Sequence, residues 1–393
     1  MSVVLVLNSG SSSLKFALFD CAQTESRIAD GAIEAIARDG GRLWLRTAAD
    51  GLVIDRARTV ADPAAAIELA FAALAEAHVA TPQAIAAVGH RLVHGGPHHH
   101  APARVDAALL AALQAAVAFA PLHLPAALRG IAAVSARFPG LPQVACFDTD
   151  FHHTLPEVAR RLPLSRAIDD RGLRRYGFHG LSYESVVDTV GARQLGRAVL
   201  AHLGNGASMA AVVNGRSQDT TMGLTPTGGL MMGTRTGDLD PGVLLHLLAT
   251  GEDAGSLARI VDHEAGLLGV SGRTADVKAL LALRATDRDA ALAIDMFCHH
   301  ARKAIGALTA TMGGIDTLVF TGGIGEHAAA VRAQICGSLA HLGITLDAAR
   351  NTAANPIISV DDSPCTVRVV PTDEERMIAR HTARLVSITA PAR

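Results

Sequence analysis

Two short turns rich in glycine and serine stand far apart in the chain but in the same setting. The first, Asn8-Ser9-Gly10-Ser11-Ser12-Ser13, lies between the apolar runs 3–7 and 14–19. The second, Gly204-Asn205-Gly206-Ala207-Ser208, lies between the apolar runs 198–203 and 209–213. Each predicts strand, tight turn, strand. Glycine lets a backbone approach closely, while Ser and Asn add hydroxyl and amide donors. Such a turn cradles an oxyanion, usually a phosphate. Its repetition predicts a duplicated domain with two phosphate loops facing each other across a cleft, and hence nucleotide chemistry. A third segment, Thr321-Gly322-Gly323-Ile324-Gly325-Glu326, follows the apolar run 317–320 and precedes a helix. Alone it reads as a strand-end turn; beside the two hairpins it also suits the base and ribose of a nucleotide. No GxxxxGK[ST] occurs, which excludes a P-loop enzyme.

Charged groups cluster beside small turns. Arg91 lies in Gly89-His90-Arg91-Leu92-Val93-His94-Gly95-Gly96, and Arg235 in Met232-Gly233-Thr234-Arg235-Thr236-Gly237-Asp238. A loop arginine is usually only solvated. Two arginines held by glycine turns better fit anion clamps, since guanidinium binds carboxylate and phosphate bidentately. His123 in Pro121-Leu122-His123 and His179 in Tyr176-Gly177-Phe178-His179-Gly180 read either as hydrogen-bonded core residues or as site groups. Asp148 follows the run 144–147, at the strand end that favours catalytic carboxylates in α/β sheets. Glu374-Glu375 opens the last helix, where both also complement its dipole. His98-His99-His100 is set aside as a metal site, because adjacent residues rarely converge on one ion.

These groups need rigid elements. The patterns predict strands at 3–8, 14–20, 27–35, 42–47, 85–92, 142–147, 198–203, 208–213, 216–221, 317–321 and 366–370. They predict helices at 62–78, 106–119, 125–138, 182–190, 241–249, 287–312 and about 373–387. Opening hairpins followed by strand–helix alternation indicate α/β layers on a mixed sheet. The expected division is 1–150 plus about 375–393, against 151–374, the break falling near 148–175. With 393 residues the chain is long enough for two cores. A formal charge of −2 argues against nucleic acid or an anionic membrane as partner. Five scattered Cys without CxxC spacing read as reduced cytosolic thiols. The apolar start stops at Asn8 and lacks a basic lead, so it reads as a strand, not a signal peptide.

The segments VVLVLNSGSSSLKF, GHRLVHGG, APLH, FDTDFH, RRYGFHG, HLGNGAS, GLMMGTRTGDLDPG, FTGGIGE and PTDEERMIAR resemble acetate kinases in order and spacing, over the whole chain. The resemblance implies two ribonuclease-H-like domains of the actin and sugar-kinase superfamily, with the site in the cleft between them. It implies transfer of phosphoryl between ATP and acetate, giving acetyl phosphate and ADP, with Mg²⁺ (or Mn²⁺) and a cytoplasmic homodimer. On the family pattern, Asn8, Ser11, Ser13 and Lys15 form the first phosphate loop. Arg91 and Arg235 clamp carboxylate and transferring phosphoryl, flanked by His179 and His123. Asp148 is the essential carboxylate near Mg²⁺, completed by Glu374 and Asn8. His202, Leu203, Gly204, Asn205 and Gly206 match the second phosphate loop. Asp276, Val277, Lys278, Gly323, Ile324 and Gly325 fall where the family contacts adenosine. Val93, Leu122, Phe178 and Pro226 match the pocket for the substrate methyl. The family's aromatic-Arg pair after the Asp is Val277-Lys278 here, which removes a planar stacking group. Leu124 replaces Asn, Thr227-Gly228 replace Leu-Glu, and Ser9 stands where the family often has Ala.

A carboxylate acceptor, with a pKa of about 4 to 5, is already ionised at neutral pH and needs no general base. The obstacle is an anion approaching an anionic phosphate, so the equipment expected is cations and donors, with direct in-line transfer. Two other readings compete. A propionate- or butyrate-directed kinase would differ only in pocket size. A nucleotide-switched binding protein on the same fold would leave both arginine clamps without a task.

Overall fold

A computed structural model of the chain describes residues 3–10, 12–121 and 123–387. Ser11 and Leu122, both matched to the site above, lie outside the described residues. The chain divides into two compact units, one reaching to Asp150 and resuming at Asp373, the other Phe151–Thr372. Among the described residues no helix is long and apolar enough to cross a membrane.

The first unit holds eight strands: β1 Val3–Ser9, β2 Ser13–Asp20, β3 Ser26–Glu34, β4 Arg42–Thr47, β5 Gly51–Ala57, β6 Ile85–Leu92, β7 Ala103–Arg104 and β8 Gln143–Phe147. They form one sheet in the order β5-β4-β3-β2-β1-β6-β8-β7. The meander β1 to β5 is antiparallel, while β1, β6 and β8 run parallel. Alternation along β1 and β2 sends Leu5, Leu7, Leu14, Phe16 and Leu18 to a core with Ile67, Ala70, Phe71 and Leu74 of the helix Pro63–Glu76. Asp62 caps that helix, accepting from the Ala65 N–H at 2.9 Å, and Pro63 sits at its first position. The last helix, Glu374–Leu385, packs on β1, β6 and β8. Gly89 allows this close approach: a Cβ there would lie 2.4 Å from Thr382 Oγ1 and 2.6 Å from Ile378 Cγ2.

The second unit repeats the plan with β9 Arg197–Leu203, β10 Ala207–Val213, β11 Arg216–Thr220, β12 Thr317–Thr321 and β13 Thr366–Val369. The order β11-β10-β9-β12-β13 has the first three strands antiparallel and β9, β12, β13 parallel. This matches β3-β2-β1-β6-β8, the ribonuclease-H-like arrangement, so the duplication read from the two hairpins is present. One face of this sheet buries Ala198, Leu200, Ala210, Val212 and Val319 against Tyr183, Val186 and Val190 of the helix Gly180–Val190. The helix Arg288–Thr311 packs on β9, β10 and β11.

Several elements differ from the sequence patterns. The expected glycine loop 321–326 is instead a helix, Gly322–His327, directly following β12. The expected helix 106–119 is α-helical only over Ala107–Ala115 and tightens to a 3₁₀ turn over Ala116–Phe119. β5 was absent from the patterns because its only buried residue is Ile54.

Buried histidines give the fold a pH dependence. His90 bonds Gln143 Oε1 through Nε2 at 2.8 Å. His152 bonds Ser217 Oγ at 2.9 Å and the Phe178 carbonyl at 3.0 Å. Burial lowers both pKa values to about 4, outweighing the opposing effect of the Gln143 and Phe178 bonds. Between about 6.5 and 4 the unfolded chain therefore binds protons that the folded chain refuses. Stability is complete above the unfolded value and falls as pH drops, by on the order of 3 kcal/mol per histidine. Urea unfolding at pH 7 and pH 4.5 should show a large loss at the lower pH; equal midpoints would contradict the buried neutral assignment.

Candidate active site

In the first unit the parallel strands β1, β6 and β8 end side by side. Leu7 pairs with His90, and Arg91 pairs with Cys146, so Asn8, Arg91 and Asp148 occupy the C-terminal edge of three adjacent strands. Arg91 grips Asp148 bidentately, Nε to Oδ1 at 2.9 Å and Nη2 to Oδ2 at 2.7 Å. Its Nε also lies 3.5 Å from Glu374 Oε2. The Asp148 side chain is only 3% exposed, and those of Arg91 and Glu374 are 21% and 15%. Burial acts to lower the Arg91 pKa, but the carboxylates of Asp148, Glu374 and Glu375 outweigh it and raise the value. Asp373 caps the last helix and pairs with Arg27 at 2.6 Å, anchoring its acidic first turn. The β1–β2 turn is closed by Gly10 N–H donating to Ser13 O at 2.8 Å. Ser13 and Lys15 begin β2, Lys15 exposed and opposite Asn8. His123 precedes the helix Leu124–Arg137, and Val93 lies half-buried just past β6.

In the second unit the β9–β10 turn gathers a different set. His179 stands before the helix Gly180–Val190 in the left-handed region, φ 56°. Such a conformation is uncommon outside glycine and often marks a functional position. Its ring stacks on His202, centroids 4.2 Å apart and planes at 15°. His179 Nδ1 meets Ser208 Oγ at 2.8 Å, and His202 Nδ1 meets Ser182 Oγ at 2.7 Å. A Cβ on Gly206 would lie 3.3 Å from His179 Nε2 and 3.6 Å from Arg235 Nη1. An imidazole and a guanidinium thus converge on Gly206, a position of the turn that carries no side chain. Arg235 donates from Nη1 to Pro226 O at 3.2 Å. Burial lowers the Arg235 pKa, with Asp262 partly opposing. Gly233 N–H donates to Asn205 O at 3.0 Å, joining the arginine loop to the turn. Phe178 is only 1% exposed, and its carbonyl is held by His152.

Beside this turn a cavity of about 620 Å³ is lined by Asn205, Asp276, Val277, Lys278, Gly323 and Ile324, with Thr274, Leu281 and His327 completing the wall. Six residues matched to nucleotide contact thus share one cavity. Asp276 also caps the helix Val277–Leu283, accepting from the Lys278 N–H at 2.7 Å. Val277 is buried and Lys278 exposed. Gly325 faces away from solvent, its carbonyl bonded by Arg332 Nη1 at 2.8 Å.

A family model described as the Acetokinase family matches residues 3–380. The chain belongs to the acetokinase family. An acetate kinase of Rhodopseudomonas palustris is 44% identical over 98% of each chain. One from Streptomyces avermitilis is 42% identical over 98% of this chain and 97% of that one. Among solved structures, a propionate kinase from Francisella tularensis superposes with a TM-score of 0.93 at 36% identity, covering 98% of this chain and all (100%) of that one. The Porphyromonas gingivalis acetate kinase gives 0.89 at 37%, with coverage of 98% and 100%. Membership of this family makes the chain a phosphotransferase working with ATP and ADP.

Two features escaped the sequence reading. Tyr183, behind His179, resembles a core residue of its helix. Arg332 reads as a surface helix residue but is fully buried, bonding Gly325 O, Glu326 O and Asn351. Its signal is spacing: it lies about two helical turns past Gly325 and Glu326, whose carbonyls it holds.

Proposed function

We propose that the chain is an acetate kinase that transfers the γ-phosphoryl group of ATP reversibly to acetate by direct in-line displacement, giving acetyl phosphate and ADP. The observation that carries this reading is the convergence of His179 Nε2 and Arg235 Nη1 on the β9–β10 turn, a place for phosphoryl oxygens. The adjoining 620 Å³ cavity suits the adenosine, with the Val277 and Ile324 side chains against the base. Arg91, with its charge secured by neighbouring carboxylates, steadies the acceptor, and His123 adds a donor. The β1–β2 turn, with Asn8, Ser13 and Lys15, is the first phosphate loop. The acceptor arrives ionised, so these residues bind, orient and offset charge without abstracting a proton.

Mg²⁺ prefers a few carboxylates together with phosphate oxygens and retained waters. Asp148 and Glu374, both beside Arg91, offer such an oxygen set, with Asn8 at the same strand edge. When bound there, the ion would offset phosphate charge. Among the described residues no cluster of three or more His, Cys, Asp or Glu is arranged to hold an ion. We further propose a homodimer. The helix Pro241–Ala249 buries none of its residues, and Leu239, Val243, Leu245 and Leu248 nearby are 40–67% exposed, an apolar surface suited to a second copy. The five buried free cysteines accord with a cytoplasmic location.

The likeness to a propionate kinase favours a second reading, in which propionate is preferred. A coupled ADP-release assay from formate to butyrate, with hydroxylamine trapping, separates the two. A kcat/KM peak at acetate with hydroxamate formed supports the first reading; a peak at propionate moves the substrate; no acyl phosphate from any acid overturns both. Val93→Ala should raise the propionate-to-acetate ratio of kcat/KM by about 10-fold, the worth of a methylene-sized change in an apolar pocket. An unchanged ratio removes Val93 from the pocket wall.

A further inference from the structure

Behind His179 runs a short chain of hydroxyls. Tyr183 is fully buried, one helical turn on from His179 and on the same helix face. Its hydroxyl lies 2.5 Å from Ser208 Oγ, and Ser208 Oγ lies 2.8 Å from His179 Nδ1. Ser208 is itself fully buried on β10, directly opposite His202 on β9. Three polar atoms therefore stand in line with no solvent between them.

The protons along this line can be placed. Among the described residues Ser208 Oγ is the hydrogen-bond partner of the Tyr183 hydroxyl. A phenol has one proton, and if Tyr183 only accepted, that proton would be buried without an acceptor. Tyr183 therefore donates to Ser208. Burial also raises the Tyr183 pKa, against the lowering effect of the Ser208 bond, so the phenol keeps its proton. Ser208 is buried as well, so its own proton needs an acceptor, and among the described residues that acceptor is His179 Nδ1. That nitrogen must then carry a lone pair, which leaves the imidazole proton on Nε2, the atom facing Gly206. The stack on His202 also disfavours the state with both rings charged, because two imidazolium rings 4.2 Å apart would repel.

We infer that Tyr183 and Ser208 are positioning residues that order the hydrogen bonds behind His179 and hold it as the neutral tautomer, with Nε2–H aimed at the β9–β10 turn. The inference rests on the reading above, in which His179 meets the transferring phosphoryl group, and it assigns what that contact is: a fixed N–H donor. Tyr183→Phe removes the ordering hydroxyl while keeping the ring. With a water in the place of the phenol oxygen to take its proton, Ser208 can then reverse and accept from Nδ1–H, so both tautomers become available.

The test is long-range ¹H–¹⁵N spectroscopy of the full chain labelled at histidine, with His179→Gln assigning the signal. The wild type should show Nδ1 unprotonated and Nε2 protonated. In Tyr183→Phe the two nitrogens should move towards averaged values. The kcat should fall about 10-fold with both KM values little changed, as when a partner orienting a site imidazole is lost. Ser208→Ala, which removes the acceptor and donor together, should lose the Nδ1 hydrogen bond and lower kcat further. A wild-type Nδ1–H signal, or a Tyr183→Phe spectrum identical to the wild type, overturns the hydrogen-bond order. If the tautomer moves as described but kcat does not, the order stands and the contact of His179 with the phosphoryl group is overturned.

Discussion

Arg91→Ala is expected to lower kcat by about a thousandfold, the scale on which a guanidinium stabilises a phosphoryl transition state, and to destabilise the first unit at the same time. The two effects share one cause. Arg91 holds Asp148 bidentately and lies 3.5 Å from Glu374, and these carboxylates are 3% and 15% exposed. Removing the guanidinium takes the bidentate partner from Asp148 and a neighbouring positive charge from Glu374, and breaking such a buried pair typically costs about 3–5 kcal/mol. Arg91→Lys separates the effects. An ammonium restores the charge and much of the stability, but it cannot present two parallel N–H groups, so kcat should stay low. Urea unfolding with steady-state kinetics checks both variants. A raised KM with unchanged kcat in Arg91→Ala would mean that Arg91 serves substrate binding alone.

Arg235→Ala should lower kcat by about a hundredfold to a thousandfold, as for loss of a donor aimed at developing charge, with little loss of stability. The contrast with Arg91 follows from their partners. Arg235 Nη1 bonds a main-chain carbonyl, Pro226 O, at 3.2 Å and, among the described residues, is not locked in a bidentate carboxylate pair. Its removal strands no buried carboxylate. The effect should appear in kcat more than in the KM for ATP, because the cavity lined by Asp276, Val277 and Lys278 is untouched. A variant as unstable as Arg91→Ala, or one with wild-type kcat, would contradict this assignment.

Much of the fold was legible because its strands are short apolar runs ended by small residues. β1, β2, β9 and β10 follow from the runs flanking the two glycine turns, and Asp62-Pro63 marks a helix start by capping chemistry. β5 was not legible, since an edge strand with one buried residue carries no alternation. The Gly322–His327 helix was hidden by its glycines, which disfavour helix intrinsically. Here Gly322, at φ 76°, is needed because a Cβ would lie 2.9 Å from Leu203 O. Spacing along the chain also gave no sign that Arg91 reaches Asp148, fifty-seven positions away. Only the resemblance to a family put both in one site. The left-handed backbone of His179 and the Tyr183–Ser208 contact depend on packing against β10, which no local pattern records.

In the proposed reaction phosphoryl passes directly from nucleotide to carboxylate, with the protein supplying cations and fixed donors and no nucleophile of its own. ATP made chiral at the γ-phosphorus with oxygen isotopes tests it in one turnover. Inversion of configuration in the acetyl phosphate is the predicted result. Net retention would require two displacements through a phosphorylated side chain, and would contradict direct transfer.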